Sequence, residues 1–242
     1  MQESAYLAGL PIEIPSALDA PRHSGLVRIT HWIHTVSFFA LVVSGVAILL
    51  AHPRLYWGET GGVGTPSLID LPLPFILVGQ SGWGRSLHFL AAWICVLNGL
   101  VYVFSGLVGR HFRRDLLPST ANLRWGNVMR VVSNHLRWKR PGAEESYSYN
   151  VLQRITYLGV VFVLFPLIVL TGLAMSPAIT SIFPALVTGF RGQQSARTIH
   201  FFAASLLVVF LFVHVAMVCR AGFMSRMRAM TTGHGHAGGE SR

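Results

Sequence analysis

The sequence predicts an all-α integral membrane protein, a bundle of four transmembrane helices with both termini on the cytoplasmic side. Three observations carry that expectation. The 242-residue chain is 52% hydrophobic and only 12% charged, whereas soluble domains carry about 25% charged residues. Four stretches are long and apolar enough to cross a hydrocarbon core, which takes about 20 residues of helix. Lys and Arg collect in alternate connections, as the positive-inside rule requires. The net charge of +10 therefore belongs to the segments between spans and argues against a nucleic-acid partner.

Residues 1–27 hold Pro11, Pro15, Pro21, Glu3, Glu13 and Asp19, with no basic start leading into an apolar core. They read as a cytoplasmic arm and not as a cleavable signal peptide, so the first span is expected to direct insertion. That span runs from about residue 29 to 50. The connection Ala51–Gly84 is rich in Gly and Pro. Its LIDLPLPFILVG segment is too short to span and is broken by Pro72 and Pro74, so it is expected to re-enter or lie on the surface.

The second span runs from about 86 to 108. A basic connection follows, and within it RWGNVMRVVSNHLRW alternates basic and apolar groups between Trp125 and Trp138, as a helix lying among headgroups does. The third span, about 151–175, contains Pro166, which should kink it. The fourth, about 198–219, leads to a polar tail whose GHGHAGG reads as flexible. The domain reading is an arm at 1–27, a membrane domain at 28–225 and a tail at 226–242. With both termini inside, fifteen of the nineteen Lys and Arg face the cytoplasm, and only Arg54, Arg85, Arg191 and Arg197 face out.

This topology gives each intramembrane histidine a depth. His200 and His214 lie fourteen residues apart on the fourth span, just under four turns, so both leave one face about 21 Å apart along the axis. An ionisable side chain inside a span is costly and marks a functional site by default. His31 starts the first span near the inner face, level with His214. His88 starts the second near the outer face, level with His200. Two imidazoles facing each other across a bundle are what a six-coordinate haem iron takes axially. Zinc wants a close cluster of three or four donors. Two pairs at two depths therefore point to two haems stacked across the membrane. No CxxCH occurs, which excludes covalent attachment, and Cys95 and Cys219 form no disulfide framework.

Neighbouring residues fit this reading, each with a plainer alternative. Gly45, fourteen residues after His31, would let a porphyrin lie against the helix at the outer depth, or it packs helices through a small residue. Arg28, Arg85 and Arg197 each precede a histidine by three residues and are placed for haem propionates, or they anchor at the interface. His34, one turn beyond His31, competes with it as a ligand. His52, His111, His135, His234 and His236 fall in polar segments and read as solvated.

RITHW at 28–32, GRSLH at 84–88, YNVLQ at 149–153, LTG at 170–172 and the His200–His214 pair occur in that order. Together they resemble the di-haem cytochrome b subunits of membrane-bound oxidoreductases. These are the cytochrome b561-like proteins of thiosulfate reductase, formate dehydrogenase-N and nickel–iron hydrogenase. AHPRLYWGE at 51–59 is most similar to the thiosulfate-reductase branch, and the resemblance covers about residues 25–225.

The resemblance implies two haem b groups, the inner held by His31 and His214 and the outer by His88 and His200. It favours His31 over His34. It also implies a ubiquinone or menaquinone site beside the inner haem, where Asn150 and Gln153 match polar positions, unless they only cap the helix. Tyr149 and Arg154 are the nearby candidates for moving the quinone proton. The 51–84 connection is longer than in the formate-dehydrogenase pattern, so no particular partner carries over.

The chain thus reads as an electron-transfer subunit of the bacterial inner membrane, embedded in lipid. It would connect a quinone pool near the cytoplasmic face to a periplasmic redox partner, either a molybdenum enzyme or a haem or iron–sulfur protein. No group for breaking substrate bonds is visible. One alternative is a stand-alone superoxide:quinone oxidoreductase, with Arg85, Arg191 or Arg197 steering the anion. Another is a haem-free transporter or anchor.

Overall fold

The computed structural model describes residues 23–62, 64–73, 81–108 and 156–233. Among these described residues, four helices are long and apolar enough to cross a membrane. Helix α1 is Gly25–Ala51 and α2 is Ser81–Val108. The third span, described over Thr156–Ala174, contains a π-helical turn at Val160–Leu164 and then α3, Phe165–Ala174. Two short helices follow, α4 at Pro177–Thr180 and α5 at Ala185–Gly189. The fourth span is α6, Gln193–Arg220, and α7 is Phe223–Thr231. The chain is an all-α integral membrane bundle.

The bundle is built inside out relative to a soluble protein. Its buried positions are mostly small or hydroxylated: Thr30, Ser37, Ser44, Ala91, Thr171 and Ala203. Its large apolar side chains face outward, with Val36, Phe104 and Phe212 each about 70% exposed. Lipid solvates such a surface, so close packing falls to small residues. Most of the buried hydroxyls return their protons to their own helices. Thr30 donates to Leu26 O at 2.9 Å and Ser37 to Ile33 O at 2.5 Å. This pattern satisfies a polar group where no water reaches it.

The third span departs from regular helix where Pro166 was expected to act. Proline has no N–H and its ring crowds the carbonyl four residues back. The irregularity takes the form of a widened turn, with the Phe165 N–H bonded to Val160 O, five residues back. Residues 151–155 of the expected span lie outside the described residues, as does the RWGNVMRVVSNHLRW segment.

The connection between α1 and α2 is more ordered than its composition suggested. Strand β1, Arg54–Leu55, pairs antiparallel with β2, Ile69–Asp70, so the beginning of LIDLPLPFILVG forms a ladder instead of re-entering. Residues 74–80 lie outside the described residues. The loop is then bound to the start of α6. Thr198 Oγ1 donates to Tyr56 O at 2.6 Å, and Gln194 N donates to Gly58 O at 3.0 Å. Gly192, at φ +119°, approaches so closely that a β-carbon there would collide with the Gly58 carbonyl.

At the opposite end, α7 occupies part of the segment read from sequence only as polar. The first turns of α1 hold its C-terminal end. Trp32 Nε1 donates to Met230 O at 3.0 Å, and Arg28 Nη1 donates to Thr231 O at 2.9 Å. These carbonyls are among those a helix leaves unpaired at its C-terminus, where a cation is also favourable.

Two facing histidine pairs

The four singled-out histidines meet in twos. The rings of His31 on α1 and His214 on α6 are 6.5 Å apart between centroids, with planes at 47°. Those of His88 on α2 and His200 on α6 are 6.2 Å apart, at 60°. Two metal–nitrogen bonds of about 2 Å, plus about 1.1 Å from each ring centre to its ligating nitrogen, span about 6.2 Å. Both separations are close to that span. Among the described residues, no group of three or more His, Cys, Asp or Glu comes together, so each pair stands alone.

Helix α1 measures the spacing of the two levels independently of α6. His88 docks against Ser44, whose Oγ lies 3.0 Å from His88 Nδ1. Ser44 is thirteen residues beyond His31, about 20 Å along the axis. That agrees with the 21 Å implied by His200 and His214.

His88 and His200 each sit in a two-residue frame. Ser44 Oγ and Thr171 Oγ1 each lie 3.0 Å from the Nδ1 atoms of His88 and His200. The following residue is glycine in both frames. A β-carbon on Gly45 would meet His88 Cε1 at 3.7 Å, and one on Gly172 would meet His200 Cε1 at 3.5 Å. Gly45, read from sequence as a seat for a porphyrin or a packing residue, thus lies against the imidazole itself. Sequence reasoning missed Ser44 and Thr171 as partners. The available signal was the repeat of a hydroxyl residue before glycine, S-G on the first span and T-G on the third.

The His31–His214 pair is supported differently. His214 packs against Phe210 and Tyr157, with ring centroids 5.9 and 6.4 Å away. His31 stacks edge-on with Trp32 at 5.6 Å, and its Nδ1 is buried without a hydrogen-bond partner. His34 turns elsewhere. Its Nδ1 meets Asn98 Nδ2, its ring packs on Phe165 at 5.4 Å, and Gly99 lies against its Cε1. Asn98 also donates to Thr30 O at 2.8 Å.

The three arginines occupy different settings. Arg28 holds α7, as described above. Arg197 donates through Nη2 to the His52 carbonyl, and Arg85 is exposed. Burial pushes the His52 imidazole below its ordinary value, and the charges of Arg197 and Arg85 push it the same way. Tyr149, Asn150, Gln153 and Arg154 lie outside the described residues.

Residues 22–233 match the family model described as prokaryotic cytochrome b561. A relative from Azospira oryzae, named as a protein-methionine-sulfoxide reductase subunit, YedZ1, is 32% identical over 88% of this chain and 96% of its own length. One from Cupriavidus necator, named as a Ni/Fe-hydrogenase B-type cytochrome subunit, is 25% identical over 95% of this chain and 89% of its own. A like-named protein of Bradyrhizobium diazoefficiens is 25% identical over 85% of this chain and 80% of its own. No solved structure matches the chain. The resemblance drawn from the histidine-bearing motifs is borne out, and the chain, a multi-pass bacterial membrane protein, belongs to the prokaryotic cytochrome b561 family.

Proposed function

We propose that the chain is the membrane subunit of an oxidoreductase and carries electrons across the bacterial inner membrane through two b haems. His31 and His214 hold one at the cytoplasmic level. His88 and His200 hold the other at the periplasmic level. The observation that carries this reading is the pair of ring separations, 6.5 and 6.2 Å, at levels about 20 Å apart by helix rise. Haem b, when bound, supplies a reversible one-electron couple at each level. The protein's part is to orient the imidazoles and exclude water. Residues 28–225 form the haem-carrying domain, flanked by a cytoplasmic arm and tail.

In this reading the N-in, C-in orientation follows from the placement of Lys and Arg. Quinone or quinol reacts beside the inner level, with Asn150 and Gln153 as hydrogen-bonding residues for its carbonyls. The outer level meets a periplasmic redox partner. The names of the relatives support a subunit role, since a methionine-sulfoxide reductase subunit and hydrogenase cytochrome subunits are all parts of larger enzymes. A periplasmic molybdenum enzyme, or a haem or iron–sulfur protein, fits the outer face. Arg85 and Arg197 are assigned to the outer propionates. Arg28 serves the inner ones only if it shares its guanidinium with the Thr231 carbonyl.

A pyridine haemochrome assay of the purified chain tests the reading. The expected result is two haems b per chain, both reduced by a quinol analogue. One haem, or none, overturns it.

A further inference from the structure

We propose that Ser44 and Thr171 are positioning residues for the outer level. Each holds its histidine in the tautomer with the proton on Nδ1, which keeps the Nε2 lone pair of His88 and of His200 free for a metal. This inference rests on the reading of those two histidines as haem ligands.

The argument is a count of protons. A hydroxyl owns one donor hydrogen and two acceptor lone pairs. Ser44 Oγ lies 2.6 Å from Ala40 O and 3.2 Å from Leu41 O. Thr171 Oγ1 lies 2.7 Å from Leu167 O and 3.1 Å from Ile168 O. Carbonyls only accept, so each hydroxyl proton is committed to its own helix. What each oxygen offers the ring nitrogen 3.0 Å away is a lone pair. The ring nitrogen must therefore donate, and a neutral imidazole has a single N–H. With that hydrogen on Nδ1, Nε2 is bare.

The surroundings enforce the arrangement. Ser44 and Thr171 are both 0% exposed, so no water competes for the contact. Gly45 and Gly172 bring bare backbone against the Cε1 edge of each ring, which confines the imidazole between a hydroxyl and a Cα. The same frame recurs on two helices, α1 and α3, and serves ligands from two others, α2 and α6. Groups behind a ligating histidine set its orientation and basicity. His34 sits in a different frame, Asn98–Gly99, where an amide and not a hydroxyl meets Nδ1.

The test uses the full-length haem-loaded protein. Ser44→Ala and Thr171→Ala are compared with Ser44→Thr and Thr171→Ser by redox titration and low-temperature EPR. Loss of the hydroxyl leaves only the backbone carbonyl of Leu41 or Ile168 to accept from the ring and weakens electron donation from the imidazole, so the Ala variants should shift the outer-haem midpoint positive. The expected size is about tenfold in the reduction equilibrium, about 59 mV for one electron, with a moved outer-haem g value and an unmoved inner haem. The hydroxyl-keeping variants should match the wild type.

Ala variants that retain two haems with wild-type potentials and g values would overturn the proposal. If the Ala variants lose the outer haem, the hydroxyl-keeping pair decides. Retained haem at the wild-type potential supports proton placement, and lost haem overturns it in favour of packing. A separate check on His88→Ala and His200→Ala tests the ligand reading. If both haems persist there, that reading fails, and this inference fails with it.

Discussion

Gly58 and Ser195, 137 positions apart in sequence, exchange two hydrogen bonds. The Gly58 N–H donates to Ser195 Oγ at 2.7 Å, and the Ser195 N–H donates back to Gly58 O at 3.2 Å. The N-cap of α6, Gly192, offers no side-chain cap, so a carbonyl from the α1–α2 loop satisfies first-turn N–H groups that a helix leaves unpaired. His200 is five residues further along α6. The loop thereby sets where His200 sits.

Ser195→Ala should leave the Gly58 N–H unpaired and cost about 1–3 kcal/mol. Gly192→Ala should cost more, because its β-carbon would collide with Gly58 O and its φ of +119° disfavours any side chain. Thermal unfolding in detergent should rank the variants in that order. Equal melting temperatures for all three proteins would show that the clasp is dispensable.

His88→Ala or His200→Ala should remove one haem, and His31→Ala or His214→Ala the other. His34→Ala should leave both, because His34 faces Asn98 and Phe165 while His31 faces His214. Haem counts combined with low-temperature α-band spectra distinguish the two levels. A His34→Ala protein lacking the inner band, beside a His31→Ala protein that keeps it, would reverse the assignment.

Trp32→Phe keeps an aromatic side chain but loses the indole's pyrrole ring, and with it the Nε1–H that Met230 O accepts at 3.0 Å. The expected loss is about 1 kcal/mol, felt locally. Hydrogen exchange over α7 should accelerate while exchange within α6 stays unchanged. Uniform acceleration in both helices would mean that α7 is coupled to the bundle by other contacts.

His52 makes stability depend on pH. Its folded-state value lies below the ordinary one because of burial and the Arg197 and Arg85 charges, so the unfolded chain takes up the proton first, at about pH 6.5. Stability is therefore complete above that value and declines as pH falls toward the lowered folded value. The side chain is largely exposed, which keeps the effect small. His52→Gln should flatten part of the decline in melting temperature between pH 7 and 5; an unchanged slope would assign it to other groups.

The spans were legible because lipid imposes a composition on about 20 consecutive residues at a time, and such a signal survives errors at the ends. Helix α6 begins at Gln193, ahead of the hydropathic stretch, because its first turn is capped by the loop and needs no apolar residues. The histidine pairing was legible because depth follows from residue count along a straight helix. The partners of the rings were not. Whether Ser44 faces His88 depends on how α1 is rotated against α2, which tertiary packing decides. The β1–β2 ladder was invisible for a related reason, since two-residue strands carry no periodicity. The Arg28 contact with Thr231 required knowing that α7 folds back beneath α1.

Close helix packing pairs α1 with α2 and the third span with α6, while the histidine pairs join the first hairpin to the second. The described residues thus form two helical hairpins whose imidazoles face each other at two levels, fastened at one end by the Gly58–Ser195 clasp and at the other by the bonds from Arg28 and Trp32 to α7. If the imidazoles hold haem as proposed, cofactor loading and assembly become a single event. A chain deprived of haem should insert and form its hairpins normally, then fail at the seam between them. Quality control in the membrane would read that seam.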